Sequence, residues 1–259
     1  MDEPLPSFEH PLGHLHFRRV EATRPFVWLS RALSDMRARP GPSLAWGALF
    51  AILGFLILSY ASGRPYLFTA AISGFLLIGP LAAAGLYEIS RRREMGQACS
   101  FMDSVRGLAR HGDSLLYFGL FLVIAMISWE RISAILFALF YSGDLPNVDH
   151  FYRQIFLSGD YLHFVVAYVF IGAAIAALLY SLSAISLPFL MDRESDVVTA
   201  MMASMQVIGH NLVAMILWAF LIVALVGIGF ATWMLGLVIT LPLLGHATWH
   251  AYRDLIPKD

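Results

Sequence analysis

The sequence predicts an all-α fold: a polytopic membrane bundle of six transmembrane helices in three hairpin repeats, with amphipathic helices on the cytoplasmic side. Three observations predict it. The 259-residue chain is 59% hydrophobic and 14% charged, with mean hydropathy +0.70, whereas an average soluble domain is roughly one quarter charged. Too few polar side chains remain to coat a water-soluble core, so the apolar excess faces lipid. Apolar runs recur at the length that crosses about 30 Å of hydrocarbon, about 20 helical residues. Basic residues gather on one side of those runs. The same arithmetic excludes other classes. A net charge of -1 argues against a nucleic-acid-binding domain, and a single cysteine against a disulfide framework or an iron–sulfur site.

Residues 1–24 read as a flexible cytoplasmic arm. Its Pro, His and acidic residues replace the apolar stretch that a signal peptide needs. Residues 25–255 form the membrane domain. Pro25–Arg37 predicts an amphipathic lead-in, with Phe26, Leu29, Leu33 and Met36 on one face and Arg31, Asp35 and Arg37 elsewhere. The spans follow at Pro42–Tyr60, Tyr66–Ile89, Ser114–Trp129 with an apolar extension to Tyr141, Leu162–Pro188, Leu212–Phe230 and Trp233–Ala251, the last two joined by a turn near Gly229. Arg18, Arg19, Arg24, Arg31, Arg37 and Arg39 precede the first span; Arg91, Arg92, Arg93, Arg106 and Arg110 follow the second; Arg193, Arg253 and Lys258 lie on the same side. The positive-inside rule then places both termini in the cytoplasm of a bacterial inner membrane.

An internal match at an offset of 100 residues supports the repeats. Arg93/Arg193, Glu94/Glu194, Met102/Met202 and Ser104/Ser204 are identical, and a transmembrane helix follows each copy. Pro80, Pro188 and Pro242 stand near the cytoplasmic ends of the second helices and predict bends at equivalent depth. Gly74, Gly79, Ala83, Gly172 and Ala176 predict close helix approach. The second and third amphipathic stretches present Phe101, Met102, Val105 and Leu108, and then Val197, Val198, Met201, Met205 and Ile208. They brace the bundle or, through Phe101, Met102, Met201 and Met205, dock a partner.

Three candidate sites carry ionisable chemistry. His246 and His250, spaced i, i+4, share a helix face and with Glu88 could form a metal cluster. Glu130 and Arg131, beside Trp129, fall in the outer third of the bilayer and with His163 form an outer polar site or a structural pairing. His10, His14 and His16 in the arm, and Asp144, Asp149, His150 and Asp160 in the mildly acidic outer loop, are weaker cation candidates. No histidine falls at mid-span, as buried haem would require, and there is no P-loop or Gly-x-Ser-x-Gly elbow. The chain therefore reads as a non-enzyme without a cofactor.

The segments "RPFVWLSRALSDM", "GPLAAAGLYEISRRRE", "SLPFLMDRE" and "GHATWHAYRDL" resemble, over about Val20–Leu255, a bacterial family of predicted integral membrane proteins of unknown function. Some of its members carry a cytochrome c oxidase label. The resemblance implies a six-helix inner-membrane protein and supplies no site residues. The reading that results is a non-catalytic protein, embedded in the lipid bilayer, that binds or helps assemble another membrane complex, respiratory or otherwise energy-transducing. It binds no nucleic acid, and self-association is compatible with the same surfaces. The alternatives are a transporter or channel for a small solute and a metal- or haem-handling protein.

Overall fold

The computed structural model describes residues 15–62, 65–140 and 159–258, and among them every regular element is a helix. In chain order these are α1 (Arg24–Ala38), α2 (Pro40–Ser62), α3 (Pro65–Glu94), α4 (Phe101–Arg110), α5 (Gly112–Phe140), α6 (Leu162–Ser183), α7 (Ser186–Asp192), α8 (Val197–His210), α9 (Leu212–Ala231) and α10 (Leu237–Leu255). A helix stands at each of the six expected spans. Among the described residues, four segments are long and apolar enough to cross a membrane: Pro40–Ile57, Gly112–Phe140, Leu162–Asp192 and Leu212–Ala231. The arginine-rich half of α3 and the His-, Arg- and Asp-bearing half of α10 dilute the apolar character of those two helices.

Each short amphipathic helix is separated from the long helix after it by one non-helical residue. Arg39 breaks α1 from α2, His111 breaks α4 from α5, and Asn211 breaks α8 from α9. The first break has a covalent cause, because Pro40 disfavours helical geometry in the residue before it and suits the first helical position after it. N-terminal caps fix the other two short helices. Ser100 and Asp103 form a reciprocal capping box on α4, and Asp196 accepts from the Thr199 amide on α8.

α3, α10 and the short α7 contact one another; α2 packs on α3 and α10, α5 on α3 and α7, α9 on α10, and α6 pairs with α5. α1 rests on α10, α4 on α3, and α8 on α6 and α7. The largest core joins Trp28, Trp218, Trp249, Tyr252 and Phe189 near the arginine-rich end. α2 approaches α10 where a Cβ on Gly47 would lie 2.2 Å from the Val238 carbonyl oxygen. Gly47→Ala is therefore expected to cost about 1–3 kcal/mol in thermal unfolding, the range for overpacking. Gly209, with nothing within 4 Å of its Cβ position, is the control: Gly209→Ala gains up to about 1 kcal/mol from helix propensity.

Several expectations need correction. The arm is anchored from Leu15 onward. The Arg18 amide donates to Leu255 O at 2.9 Å, the Val20 amide donates to Asn211 Oδ1 at 2.8 Å, and Phe17 stacks on His210. α1 leaves Phe26 and Leu33 exposed, as a stripe at the acyl boundary would be, but buries Met36 of that stripe together with Trp28, Ala32 and Asp35. α4 buries Ser104 and Gly107, and α8 buries Ala200, Ala203, Ser204, Val207 and Ile208. Small or polar residues (Ala32 and Asp35, Ser104 and Gly107, Ala200, Ala203 and Ser204) take part in the protein contact of each helix.

The fourth span is interrupted at Ala184 and Ile185. Pro188 withholds an amide there, and Ser181, Ser183 and Ser186 each donate a hydroxyl to a carbonyl four residues back. Pro80 and Pro242 instead lie well inside continuous helices, so the three prolines are not at one depth. The outer hairpin turns at 232–236, not at Gly229. Trp233 and Met234 adopt positive φ of 53° and 69° in that turn, while Gly229 admits the Leu237 side chain where a Cβ would sit. Gly172 likewise makes room for the Trp129 ring rather than for another backbone.

Candidate functional site

The densest polar site lies where α1, α2, α3 and α10 meet. Trp28 and the small Ala32 let α1 sit tightly on α10, which carries Asp35 into the interior with a relative exposure of 2%. α3 contributes Ser90 and Arg93, α2 Ser43, and α10 His246 and His250, brought to one face by their i, i+4 spacing. His250 Nε2 lies 3.0 Å from Asp35 Oδ2. The Ser90 hydroxyl and the Arg93 guanidinium also donate to that carboxylate. His246 Nδ1 is 2.7 Å from Ser90 Oγ and its Nε2 is 2.9 Å from Ser43 Oγ; the Ser43 hydroxyl also reaches Arg39 O at 2.8 Å.

A neutral imidazole carries one N–H and one lone pair. At neutral His246, one serine hydroxyl must therefore turn its proton to the ring instead of to Arg39 O or Asp35. Burial pushes the Asp35 carboxyl up, but the hydrogen bonds from His250 and Ser90 and the electrostatic pull of the surrounding donors more than offset it. The carboxyl is held below the ordinary carboxylate range.

The order Ser43, His246, Ser90, Asp35 superficially suggests an activated nucleophile. Ser43 and His246 are fully buried, however, and Ser43 Oγ is already shared between Arg39 O and the ring.

Two further clusters surround this one. Asp254, with its side chain 3% exposed, accepts from Arg24 Nε at 2.5 Å and Nη2 at 3.0 Å, and from Trp28 Nε1 at 2.9 Å. Burial raises the Asp254 carboxyl and these Arg24 and Trp28 contacts bring it below its usual range. Glu88, also fully buried, is gripped by Arg91 and Arg92 at 2.7 Å each, with Arg110 at 3.7 Å. It points at α4, where Gly107 has no side chain to obstruct it.

The structure therefore unites His246 and His250 but gives them Asp35 and not Glu88. Both nitrogens of His246 already face serine hydroxyls. Among the described residues, no group of three or more His, Cys, Asp or Glu is arranged to hold a metal.

Of the outer candidates, His163 adjoins Phe164, which packs on Leu136 and Phe137 of α5. Arg131 and His163 are exposed and Glu130 is half-buried. Of the proposed docking residues, Met102 and Met205 are exposed, Phe101 packs on Trp46 at 5.1 Å, and Met201 packs against the main core. His16 and Asp160 are exposed or bordering solvent-facing turns, whereas His10, His14, Asp144, Asp149 and His150 lie outside the described residues.

Sequence reasoning missed Asp35, Ser43, Ser90 and Asp254. The available signal was an aspartate seven residues after a tryptophan on α1, which puts both on one helix face.

The long apolar helices, and a charged network confined to one end, define an all-helical integral membrane protein. Residues 67–192 match the family described as "Predicted integral membrane protein (DUF2189)", a family of unknown function. Over that segment, from α3 to the end of α7, the chain is similar to this family, a narrower stretch than the Val20–Leu255 resemblance. No curated protein and no solved structure matches the chain.

Proposed function

We propose that this chain is a non-catalytic protein of the bacterial inner membrane that binds or helps assemble another membrane complex. In this reading all six long helices span, in three repeats of interfacial helix, span and span, with both termini cytoplasmic. The three single-residue breaks at Arg39, His111 and Asn211, each between a short helix and a long one, support the repeat. Inner helices packed by protein can carry the polar ends that α3 and α10 carry.

One observation carries the partner reading: the α5–α6 hairpin is barely covered by its own chain. Only 6% of the apolar window in Leu162–Asp192 and 11% of that in Gly112–Phe140 is buried, against 33% in Pro40–Ile57. Beside it runs an apolar groove of about 530 Å³, lined by Trp129, Tyr168, Gly172, Ala176 and Pro80. The sealed Ser43–His246–Asp35 cluster supports a structural use of the polar groups.

The test is purification from native membranes in mild detergent, followed by mass measurement. A stoichiometric partner is expected, and Ala176→Trp, which fills the groove, is expected to reduce its recovery at least fivefold without unfolding the chain. If the protein runs alone under every solubilisation, or if Ala176→Trp leaves recovery unchanged, the reading fails.

A further inference from the structure

We propose that the arginine-rich end carries an oxyanion site that accepts a phosphate-type group. A cavity of about 440 Å³ opens between α1, the end of α3 and the end of α10, and its wall includes Arg18, Arg24, Arg31 and Arg253 against the carboxylates of Glu94 and Asp254. Those carboxylates are already committed. Asp254 holds Arg24 through two nitrogens, and Glu94 holds Arg253 Nε at 3.0 Å and Nη2 at 2.8 Å. Two guanidinium groups remain to meet a ligand. Arg18, its side chain 58% exposed, touches Asp254 through one 3.4 Å contact. Arg31 is exposed and has neither an ion pair nor a hydrogen-bond partner among the described residues. Four guanidinium groups against two carboxylates leave an excess of positive charge, and the planar fork of arginine matches the oxygens of a phosphate.

Helix geometry decides from which side a ligand arrives. Arg24 and Arg31 are seven residues apart and so lie on one side of α1, roughly opposite the exposed Phe26 and Leu33. With Phe26 and Leu33 toward lipid, the cavity opens to water. Its ligand is then a water-borne phosphate-bearing solute, and a lipid headgroup is the other source of the same chemistry. His250 lines the cavity and contacts Asp35, so an anion seated there would rest against the network that ties α1 to α10.

The experiment is thermal unfolding of the full chain in detergent, titrated with inorganic phosphate against sodium chloride at matched ionic strength. Stabilisation by phosphate is expected. Arg31→Ala is expected to raise the half-saturating phosphate concentration about tenfold, the loss of one charge-assisted contact. Arg37→Ala, on the same helix but outside the cavity, leaves it unchanged. A second arm compares nanodiscs of phosphatidylglycerol with nanodiscs of phosphatidylcholine. Arg31-dependent stabilisation by phosphatidylglycerol, with none by free phosphate, keeps the site and assigns it a headgroup. An equal response from the parent, Arg31→Ala and Arg37→Ala, or no response to either probe, overturns the proposal. Arg31 is exposed and unpaired, so its removal does not compromise folding.

Discussion

Asp35→Asn is expected to destabilise the protein by about 1–3 kcal/mol, the loss of a buried charged acceptor from its hydrogen bonds. The amide keeps the shape of the carboxyl but takes the charged acceptor from Arg93, Ser90 and His250, at a site where four helices meet. Thermal unfolding in detergent, followed by size-exclusion fluorescence, measures the effect. A loss below about 1 kcal/mol would show that the cluster is solvated and not sealed.

The same carboxyl sets an acid limit. Asp35 and Asp254 are held below their ordinary range in the folded protein, so their stabilisation is complete above the unfolded carboxylate value near 4. It is lost as pH falls through the lower folded values. Parent protein is therefore expected to lose stability steeply below about pH 4, and Asp35→Asn to show a shallower acid slope.

Trp28→Ala is the second large effect, expected at about 3–5 kcal/mol for a fully buried aromatic. Trp28 meets the edge of Trp218 at 5.8 Å and donates to Asp254 at 2.9 Å. Truncation therefore opens a cavity and removes a donor from a buried carboxylate. Trp28→Phe separates these parts: it retains most of the packing and is expected to cost about 1–3 kcal/mol through the lost hydrogen bond. Phe26→Ala, two residues away and 53% exposed, is expected to fall within about 0.5 kcal/mol in detergent. Equal losses at Phe26 and Trp28 would mean that α1 is rotated from the orientation described here.

The contrast between those residues shows what was legible in the sequence. Length and apolarity located α2, α5, α6 and α9, because lipid exposure leaves a continuous signal. The arginine runs marked the end at which charge gathers, for electrostatic reasons equally visible in the chain, whereas Pro40, which parts α1 from α2, went unread. The inward face of α1 was not legible. Periodicity reports an apolar stripe, and Phe26 and Leu33, expected at the acyl boundary, are exposed; it does not report that Trp28 and Ala32 make the inward face. The histidine pair was found by spacing alone, yet its carboxylate lies 215 residues away on α1, beyond any local pattern. Glu88 looked available until α4, with Gly107 against it, showed where it points. The turn at 232–236 escaped notice because Trp233 and Met234, not glycines, take the positive φ values.

The backbone bond from Arg18 to Leu255, and the ties of Arg24 and Trp28 to Asp254, join residues 18–28 to α10. During synthesis α1 emerges before α10, so the Trp28 indole lacks its Asp254 acceptor, and Asp35 its His250 contact, until α10 has left the ribosome. The nascent protein must carry an incompletely satisfied helix at the membrane surface through insertion of everything between. Closure of the bundle is then a single late event, and a truncation that removes Asp254 should leave the front of the molecule, not only its end, open to proteolysis.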